Sequence, residues 1–234
     1  MHPTFIGAAA ESRAIDVKSD SAKIDLPLRI LAIGSSSTQG IGASAPNFTY
    51  PAQLQADLIS ALGRQVAVEN AGIGGETVST TLARLKAALK TERPDLVIWQ
   101  VGTNDAVRGD DEGQFRALVE EGVDIVREAK IPLVLLDQQF YPGIKDIGRY
   151  ERFVRIVEDV GAERHAPVFP RYAMMKEWGA ESPTLLRAML WKDAFHMSDR
   201  GYGCLARDLA ADVAPLWARR MDVAEKPGAV SIVK

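Results

Sequence analysis

The sequence is poor in cysteine and histidine, with one cysteine, Cys204, and three histidines among its 234 residues. One thiol cannot form an internal disulfide, and a lone cysteine with scattered histidines does not match the spacing of a zinc site. The pattern around Cys204 is that of an apolar helix, which predicts a small structural residue there. We therefore expect a fold that is held by its hydrophobic core, for which the chain is long enough.

The chain also lacks an excess of positive charge and any long apolar run. It contains 28 lysines and arginines against 31 acidic residues, which gives a formal net charge of -3. Nucleic-acid backbones are bound by clustered cations, so nucleic acid is not an expected partner. No apolar stretch approaches the roughly 20 residues of a membrane-spanning helix, and the beginning of the chain does not resemble a signal peptide. We expect a soluble protein that is cytoplasmic, or periplasmic or secreted after removal of a leader.

What the sequence does contain is a regular alternation of short apolar segments and amphipathic stretches. The apolar segments predict strands, and the stretches between them have helical spacing. Strands that are apolar throughout and alternate with helices predict a parallel sheet that is covered on both faces. The predicted strands are residues 28–34, 66–70, 95–102, 132–138 and, more weakly, 166–170.

This alternation also suggests how the chain is divided. Residues 1–26 are polar and aperiodic, which predicts an N-terminal extension. Residues 27–222 contain all the predicted strands and helices and form a single predicted domain, and residues 223–234 are a predicted C-terminal tail. We therefore expect one domain with a short segment at each end.

Small polar residues and glycines follow three of the predicted strands. The segments are Gly34-Ser35-Ser36-Ser37-Thr38, residues 70–77 (NAGIGGET) and Gly102-Thr103-Asn104-Asp105. Ligands of parallel α/β sheets bind in the crevice outside the carboxyl ends of the strands, so the three segments should meet in one crevice. Backbone N–H groups of glycine turns and the Asn104 amide are suitable donors for an oxygen that becomes negative during a reaction.

A serine becomes a nucleophile when a neighbouring base takes its proton, and histidine is the usual base. His2 and His165 lie in segments that predict surface positions. His196 differs, because Asp193 precedes it by three residues in WKDAFH. That spacing allows the carboxylate to hold one ring nitrogen while the other faces a serine.

These four segments, in this order, resemble the four conserved blocks of the SGNH, or GDSL, hydrolases, a family of serine esterases and lipases. GSSST resembles the first block, NAGIGGET the second, GTND the third and DAFH the fourth. The resemblance implies a triad of Ser36, His196 and Asp193, and Ser35 replaces the usual aspartate of the first block. It also implies an oxyanion hole formed by the backbone N–H groups of Ser36 and Gly75 and by the side chain of Asn104.

The resemblance further implies a flavodoxin-like α/β/α sandwich of three layers with a five-stranded parallel sheet, and a site without metal or organic cofactor. The implied reaction is hydrolysis of small esters or thioesters of short- to medium-chain acids through an acyl-enzyme. We expect residues 106–114 and 138–148 to form the acyl pocket.

Two alternatives remain open at the level of sequence. The same site could serve a carbohydrate O-acetylesterase or an acyltransferase, with Asp137, Gln138 and Gln139 binding sugar hydroxyls. A flavodoxin-like module that binds phosphate or a nucleotide is the alternative from another class. It is less favoured, because GSSSTQGIG lacks the lysine of a P-loop and the spaced glycines of a dinucleotide fingerprint.

Overall fold

A computed structural model describes residues 26–224, and side chains up to residue 217. Five strands form one sheet in the order β2-β1-β3-β4-β5, and every neighbouring pair is parallel. The strands are β1 (Leu28–Gly34), β2 (Val66–Gly72), β3 (Leu96–Gln100), β4 (Leu133–Leu136) and β5 (Val168–Phe169). The predicted five-stranded parallel sheet is therefore confirmed. The weakly predicted last strand has only two paired residues.

Helices connect the strands and cover the sheet, and a short 3₁₀ turn at Pro46–Phe48 follows the first of them. The helices are α1 (Ser36–Gln39), α2 (Tyr50–Leu62), α3 (Val78–Thr91), α4 (Thr103–Arg108), α5 (Glu112–Glu128), α6 (Ile147–Arg164), α7 (Arg171–Glu181), α8 (Pro183–Met189) and α9 (Asp199–Ala224).

The alternation of side chains along β1 divides the interior into two cores. Leu31 and Ile33 pack into one core with apolar residues of α3, α5 and α6. Ile30 and Ala32 pack into the other with residues of α2, α8 and α9. Successive side chains of a strand point to opposite faces, so both faces of the sheet are apolar and each is covered by helices. The structure is the expected three-layer α/β/α sandwich.

A buried tryptophan on β3 sets the position of α5. Trp99 is fully buried, and its Nε1 donates to Thr81 Oγ1 at 3.0 Å. Gly122 of α5 lies against the indole, because a Cβ built at residue 122 would be only 2.1 Å from a ring carbon. Because residue 122 has no side chain, α5 can approach the sheet at the position of Trp99, the largest fully buried side chain.

The described residues include only part of the two predicted terminal segments. Helix α9 runs from Asp199 to Ala224 and so continues across the predicted boundary between residues 222 and 223. Apart from Leu26, the predicted extension lies outside the described residues, as do residues 225–234 of the tail. Within residues 26–224, every helix is too short or too polar to cross a membrane.

Candidate active site

The carboxyl ends of β1, β2 and β3 lie side by side, which brings the three polar segments together. Gly34 at the end of β1 is in register with Gly72 at the end of β2. Helix α1 packs closely on this edge, since a Cβ at residue 72 would be 1.9 Å from the backbone nitrogen of Gln39. The glycine therefore allows the turn after β1 to approach the end of β2.

The three consecutive serines have different surroundings. Ser35 is 3% exposed and its Oγ donates to Gln100 Oε1 at 3.1 Å. Ser37 is 1% exposed and its Oγ donates to Gln139 Oε1 at 2.6 Å. Ser36, at the first position of α1, is only partly buried. Of the three hydroxyl groups, that of Ser36 is the one that faces the crevice.

His196 links Ser36 to Asp193 through hydrogen bonds. Its Nε2 lies 2.9 Å from Ser36 Oγ, and its Nδ1 lies 2.7 Å from Asp193 Oδ2. The other oxygen of Asp193, Oδ1, accepts the backbone N–H groups of Phe195 and His196 at 3.0 and 2.9 Å. The three-residue spacing therefore forms a side-chain-capped turn and not a helix, with Ala194 in the left-handed region at φ 53°.

The hydrogen bonds of this turn also decide the charge of Asp193. Partial burial acts to raise the pKa of the Asp193 carboxyl, but the bonds from the His196 ring and from the two backbone N–H groups outweigh it and hold the pKa below its usual value. An ionised carboxylate only accepts hydrogen bonds, so Nδ1 of His196 carries the proton and Nε2 presents its lone pair to the serine.

The predicted oxyanion donors lie on the loop after β2 and at the start of α4. Gly75 has a φ of 80°, and a Cβ there would meet nothing within 4 Å. Gly74 lies beside Ser36, since its built Cβ would be 3.8 Å from Ser36 Cβ. Asn104 is half-buried, and its Nδ2 donates to Glu76 O at 2.7 Å. One amide N–H of Asn104 thus holds the glycine loop, which leaves the second for a ligand.

Charged side chains that the sequence analysis did not identify support this loop. Arg84 donates through Nε to Glu76 Oε2 at 2.9 Å, and through its two terminal nitrogens to the carbonyls of Ala71 and Gly34 at 2.9 and 3.1 Å. One guanidinium therefore ties the ends of β1 and β2 to the loop that carries Gly75. Nothing in the sequence indicated the contact between Glu76 and Arg84. Glu76 lies before α3 begins, so the two residues do not share a helix face.

Asp105 is a second support, and it is buried. Both of its carboxylate oxygens accept the backbone N–H of Val78, at 3.0 and 3.2 Å, at the start of α3. Burial raises the pKa of Asp105 to about 6, although the hydrogen bond from Val78 acts in the opposite direction. The residue after Asn104 therefore fixes α3 relative to α4.

Two buried glutamines hold the serine turn from below, and sequence reasoning missed the role of both. Gln100 Oε1 accepts from Ser35 N at 2.8 Å and from Thr38 Oγ1 at 3.2 Å. Gln139 accepts from Ser37 and donates from its Nε2 to Phe195 O at 2.8 Å. For Gln100, the available signal was a polar side chain at the end of an otherwise apolar strand.

The sugar-binding role considered for Asp137, Gln138 and Gln139 is wrong. All three are 0% exposed and lie beneath the site, where no sugar hydroxyl reaches them. Asp137 Oδ1 instead accepts the backbone N–H of Tyr172 at 2.8 Å, and burial raises the pKa of this carboxyl to about 7. The polar cluster after β4 is thus internal structure.

The side chains above the sheet edge are aromatic. The Phe195 ring packs edge-on against the His196 ring at 4.8 Å and against Tyr141 at 4.7 Å.

A largely apolar pocket of about 830 Å³ adjoins this region. Its walls come from α7, α8 and residues 190–194, with Phe140 and Pro142 from the loop after β4. Of the two segments expected to form an acyl pocket, 138–148 contributes residues to this pocket and 106–114 does not.

The remaining candidates are away from the site or outside the described residues. His165 is exposed at the end of α6, as predicted, and His2 lies outside the described residues. Cys204 is a half-buried residue of α9. In the part of the chain that the structure describes, no three His, Cys, Asp or Glu side chains are grouped so that they could hold a metal ion.

Comparisons with known proteins identify the family of the chain. The non-GDSL lipase-like family matches residues 9–217. The chain is similar to the esterase TesA of Pseudomonas aeruginosa PAO1, with 31% identity over 60% of this chain and 69% of that protein. It also superimposes on a crystal structure of TesA with a TM-score of 0.70 and 25% identity, over 80% of this chain and 99% of that one.

A third relative carries the family name itself. The structure of AlinE4, described as an SGNH-hydrolase family esterase, superimposes with a TM-score of 0.60 and 26% identity, over 82% of this chain and 97% of that one. Serine in place of aspartate at position 35 is consistent with a match to a branch whose name excludes the GDSL pattern. The chain therefore belongs to the non-GDSL lipase-like family of SGNH hydrolases and is a carboxylic ester hydrolase.

Proposed function

We propose that the protein hydrolyses small esters or thioesters of short- to medium-chain acids through an acyl-enzyme on Ser36. The observation that carries the proposal is the continuous hydrogen-bonded series from Asp193 through His196 to Ser36, with distances of 2.7 and 2.9 Å. Serine hydrolases need this order of carboxylate, imidazole and hydroxyl.

In the first half of the reaction, Ser36 Oγ attacks the carbonyl carbon and its proton moves to His196 Nε2. The carbonyl oxygen becomes an oxyanion, and Asp193 balances the charge of the imidazolium. Collapse of the intermediate breaks the bond to the alcohol or thiol, which takes the proton from Nε2. Water then repeats the sequence on the acyl-enzyme and releases the acid and free Ser36.

The oxyanion is held by the backbone N–H groups of Ser36 and Gly75 and by the second amide N–H of Asn104. Support comes from the position of Ser36 at the start of α1, where backbone N–H groups have no partner within the helix. Support also comes from the bond between Asn104 and Glu76 O, which aligns the amide beside the glycine loop. Preorganised donors of this kind are commonly the largest single contribution to acyl transfer.

The surroundings of the site favour acyl groups of moderate length. Phe195 and Tyr141 form an aromatic wall beside the imidazole. Such walls bind hydrocarbon and offer few partners to a hydroxylated ligand.

A fluorophosphonate probe tests the nucleophile directly, since it forms a covalent bond with an activated serine. We expect one equivalent of label per chain, located on the peptide that contains Ser36 by mass spectrometry. The Ser36→Ala protein should remain unlabelled, while the Ser37→Ala protein should still be labelled. Label on another serine, or no label on a folded wild-type protein, would contradict the proposal and favour a module that only binds ligands.

A further inference from the structure

The apolar pocket of about 830 Å³ is a second feature of the molecule, because Ser36 and His196 are not among the residues that line it. It lies between α7, α8 and the turn that carries Asp193. Its apolar lining includes Phe140, Leu186, Leu190, Trp191 and Ala194. The volume is that of a site for a small organic molecule.

The charged residues of the pocket are all of one sign. Lys176, Arg187 and Lys192 line it, and no acidic residue does. Lys176 is paired with Glu151 at 2.8 Å, and Lys192 Nζ lies 4.8 Å from the centre of the Trp191 ring. Arg187 is exposed and forms no ion pair with any residue that the structure describes. Arg187 and Lys192 thus remain as cations without an ion-pair partner among the described residues. An apolar interior with such cations at its rim complements an amphiphile with an anionic head.

We propose that this pocket binds fatty carboxylates, with the hydrocarbon chain among the apolar side chains and the carboxylate beside Arg187 and Lys192. That this carboxylate is a product of the enzyme rests on the proposed function, because hydrolysis of an acyl ester releases a carboxylate of this kind. Burial of the chain should raise affinity roughly threefold to fourfold for each methylene group that enters the pocket.

Occupancy of the pocket acts on the site through a shared turn. Trp191 and Ala194 line the pocket, and Trp191 N donates to His196 O at 2.8 Å. Ala194 N donates to Trp191 O at 2.9 Å, so the turn that orients Asp193 and His196 forms one wall of the pocket. Accumulating carboxylate product should therefore inhibit hydrolysis in a way that ester substrate does not fully relieve.

Calorimetric titration of the full Ser36→Ala chain with dodecanoate tests the binding. We expect one site per chain, weaker binding of hexanoate, and no comparable binding of dodecyltrimethylammonium. Arg187→Glu should weaken dodecanoate at least tenfold, whereas Arg207→Glu, the same charge change at an exposed position on α9, should not. Trp191 emission should change on binding, and this signal should disappear in Trp191→Phe.

The titration contains no ester and uses a protein without the proposed nucleophile, so its result does not depend on the proposed reaction. Equal dodecanoate affinities of Arg187→Glu and Arg207→Glu would overturn the proposal, as would equal binding of the cationic amphiphile. Binding that appears only after removal of residues 1–25 would assign the pocket to that segment and would also overturn it.

A separate observation concerns the amide of Gln139, which joins the two halves of the site. Its Oε1 accepts from Ser37, the neighbour of Ser36, and its Nε2 donates to the carbonyl of Phe195, the neighbour of His196. A carbonyl oxygen only accepts, so the orientation of the amide is determined by Phe195. The backbone of Gln139 is itself held, because Tyr150 donates its hydroxyl to Gln139 O at 2.7 Å.

We infer that Gln139 is a positioning residue that sets the distance between Ser36 and His196. The two segments come from distant parts of the chain, and a buried side chain that bonds to both transmits the position of one to the other. Displacement of reacting groups by about 1 Å costs on the order of a hundredfold in rate. Gln139 touches neither the substrate nor the reacting atoms and acts through its neighbours.

Gln139→Glu and Gln139→Met separate positioning from simple packing. The glutamate keeps an acceptor for Ser37 but, when ionised, cannot donate to Phe195 O; when protonated, it can. We expect kcat of Gln139→Glu to fall about tenfold to a hundredfold at pH 8 with little change in KM, and its rate relative to wild type to recover as pH falls to 6. Gln139→Met should be slow at both pH values.

The thermal stability of each variant at each pH serves as the control. A folded Gln139→Glu protein with wild-type kcat at pH 8 would overturn the inference. So would a relative rate that does not change with pH while the protein stays folded.

Discussion

Ser36 Oγ and His196 Nε2 lie 2.9 Å apart although 160 residues separate them in the chain. The serine is placed by the end of β1, and the histidine by a turn that joins α8 to α9. The serine turn is supported by buried hydrogen bonds from Ser35 and Ser37. The histidine turn is supported by the bonds to Asp193 and by the bond from Gln139 to Phe195 O. The distance is therefore a property of the fold. The following predictions test that relationship and its supports.

Replacement of the three serines should distinguish the nucleophile from its neighbours. Ser36→Ala should lower kcat for p-nitrophenyl butyrate by four or more orders of magnitude, as expected for loss of an attacking oxygen. Ser35→Ala should keep activity within about tenfold and lower the free energy of unfolding by about 1 kcal/mol, because it leaves Gln100 with fewer partners. Steady-state kinetics and chemical denaturation measure both. A Ser36→Ala protein with wild-type turnover would contradict the assignment of Ser36 as the nucleophile.

Asp193→Asn should leave the fold intact and slow the reaction by about 10³- to 10⁴-fold. The amide can donate to Nδ1 of His196, which favours the tautomer that carries its proton on Nε2 and cannot accept from Ser36. The measurement is kcat for a soluble ester, with far-ultraviolet circular dichroism as the control for folding. If the variant kept more than a tenth of wild-type activity, the carboxylate would not be orienting the imidazole.

Asn104→Ala should reduce kcat by about 10²- to 10³-fold with a small effect on KM, since an oxyanion donor acts chiefly in the transition state. The same change also removes the bond to Glu76 O. Glu76→Ala is the matched control, because it keeps the Glu76 carbonyl but removes the ion pair with Arg84. We expect kcat of Asn104→Ala to be lower than kcat of Glu76→Ala. The reverse order would show that Asn104 acts mainly by supporting the glycine loop.

The stability of the protein should depend on pH through Asp105. Burial raises its pKa to about 6 from the ordinary 3.8, so the folded state favours the protonated form. The stabilisation of the folded protein by the protonated Asp105 carboxyl is greatest at pH values below the pKa of this group in the unfolded chain. It is lost as pH rises through about 6. Relative to wild type, Asp105→Asn should therefore gain about 2–3 kcal/mol of unfolding free energy between pH 4 and pH 7. Urea denaturation at both pH values measures this, and a difference that does not change with pH would contradict it.

Two helical glycines should respond oppositely to alanine. Gly122→Ala places a Cβ against the rigid, buried Trp99 ring and should destabilise the protein by about 1–3 kcal/mol. Gly148 lies exposed in the first turn of α6, where a Cβ would be 3.6 Å from Asp146 Oδ1. Gly148→Ala should be neutral or stabilise the protein by about 0.5–1 kcal/mol. Thermal denaturation of the pair checks the assigned contact between α5 and β3.

Much of the architecture followed from local pattern. Apolar segments such as residues 28–34 and 95–102 indicated strands because buried parallel strands are apolar on both faces, and the structure places strands there. The segments that follow them were expected at one edge because parallel strands share a direction. The limits of the last strand were less accurate, since the ends of an element depend on contacts that a local pattern does not contain.

By itself, the sequence determined the type of fold, the edge where polar residues meet and the chemical types available there, because periodicity and residue chemistry are local properties. Only the tertiary structure decided which of three adjacent serines faces the crevice, and that Gln139 lies in the interior while Asn104 reaches the surface. It also decided that a pocket forms from α7 and α8 beside the turn that carries Asp193 and His196. The reason is physical: exposure, hydrogen-bond partners and cavities depend on segments that are distant in the chain and come together only when the sheet and its helices pack.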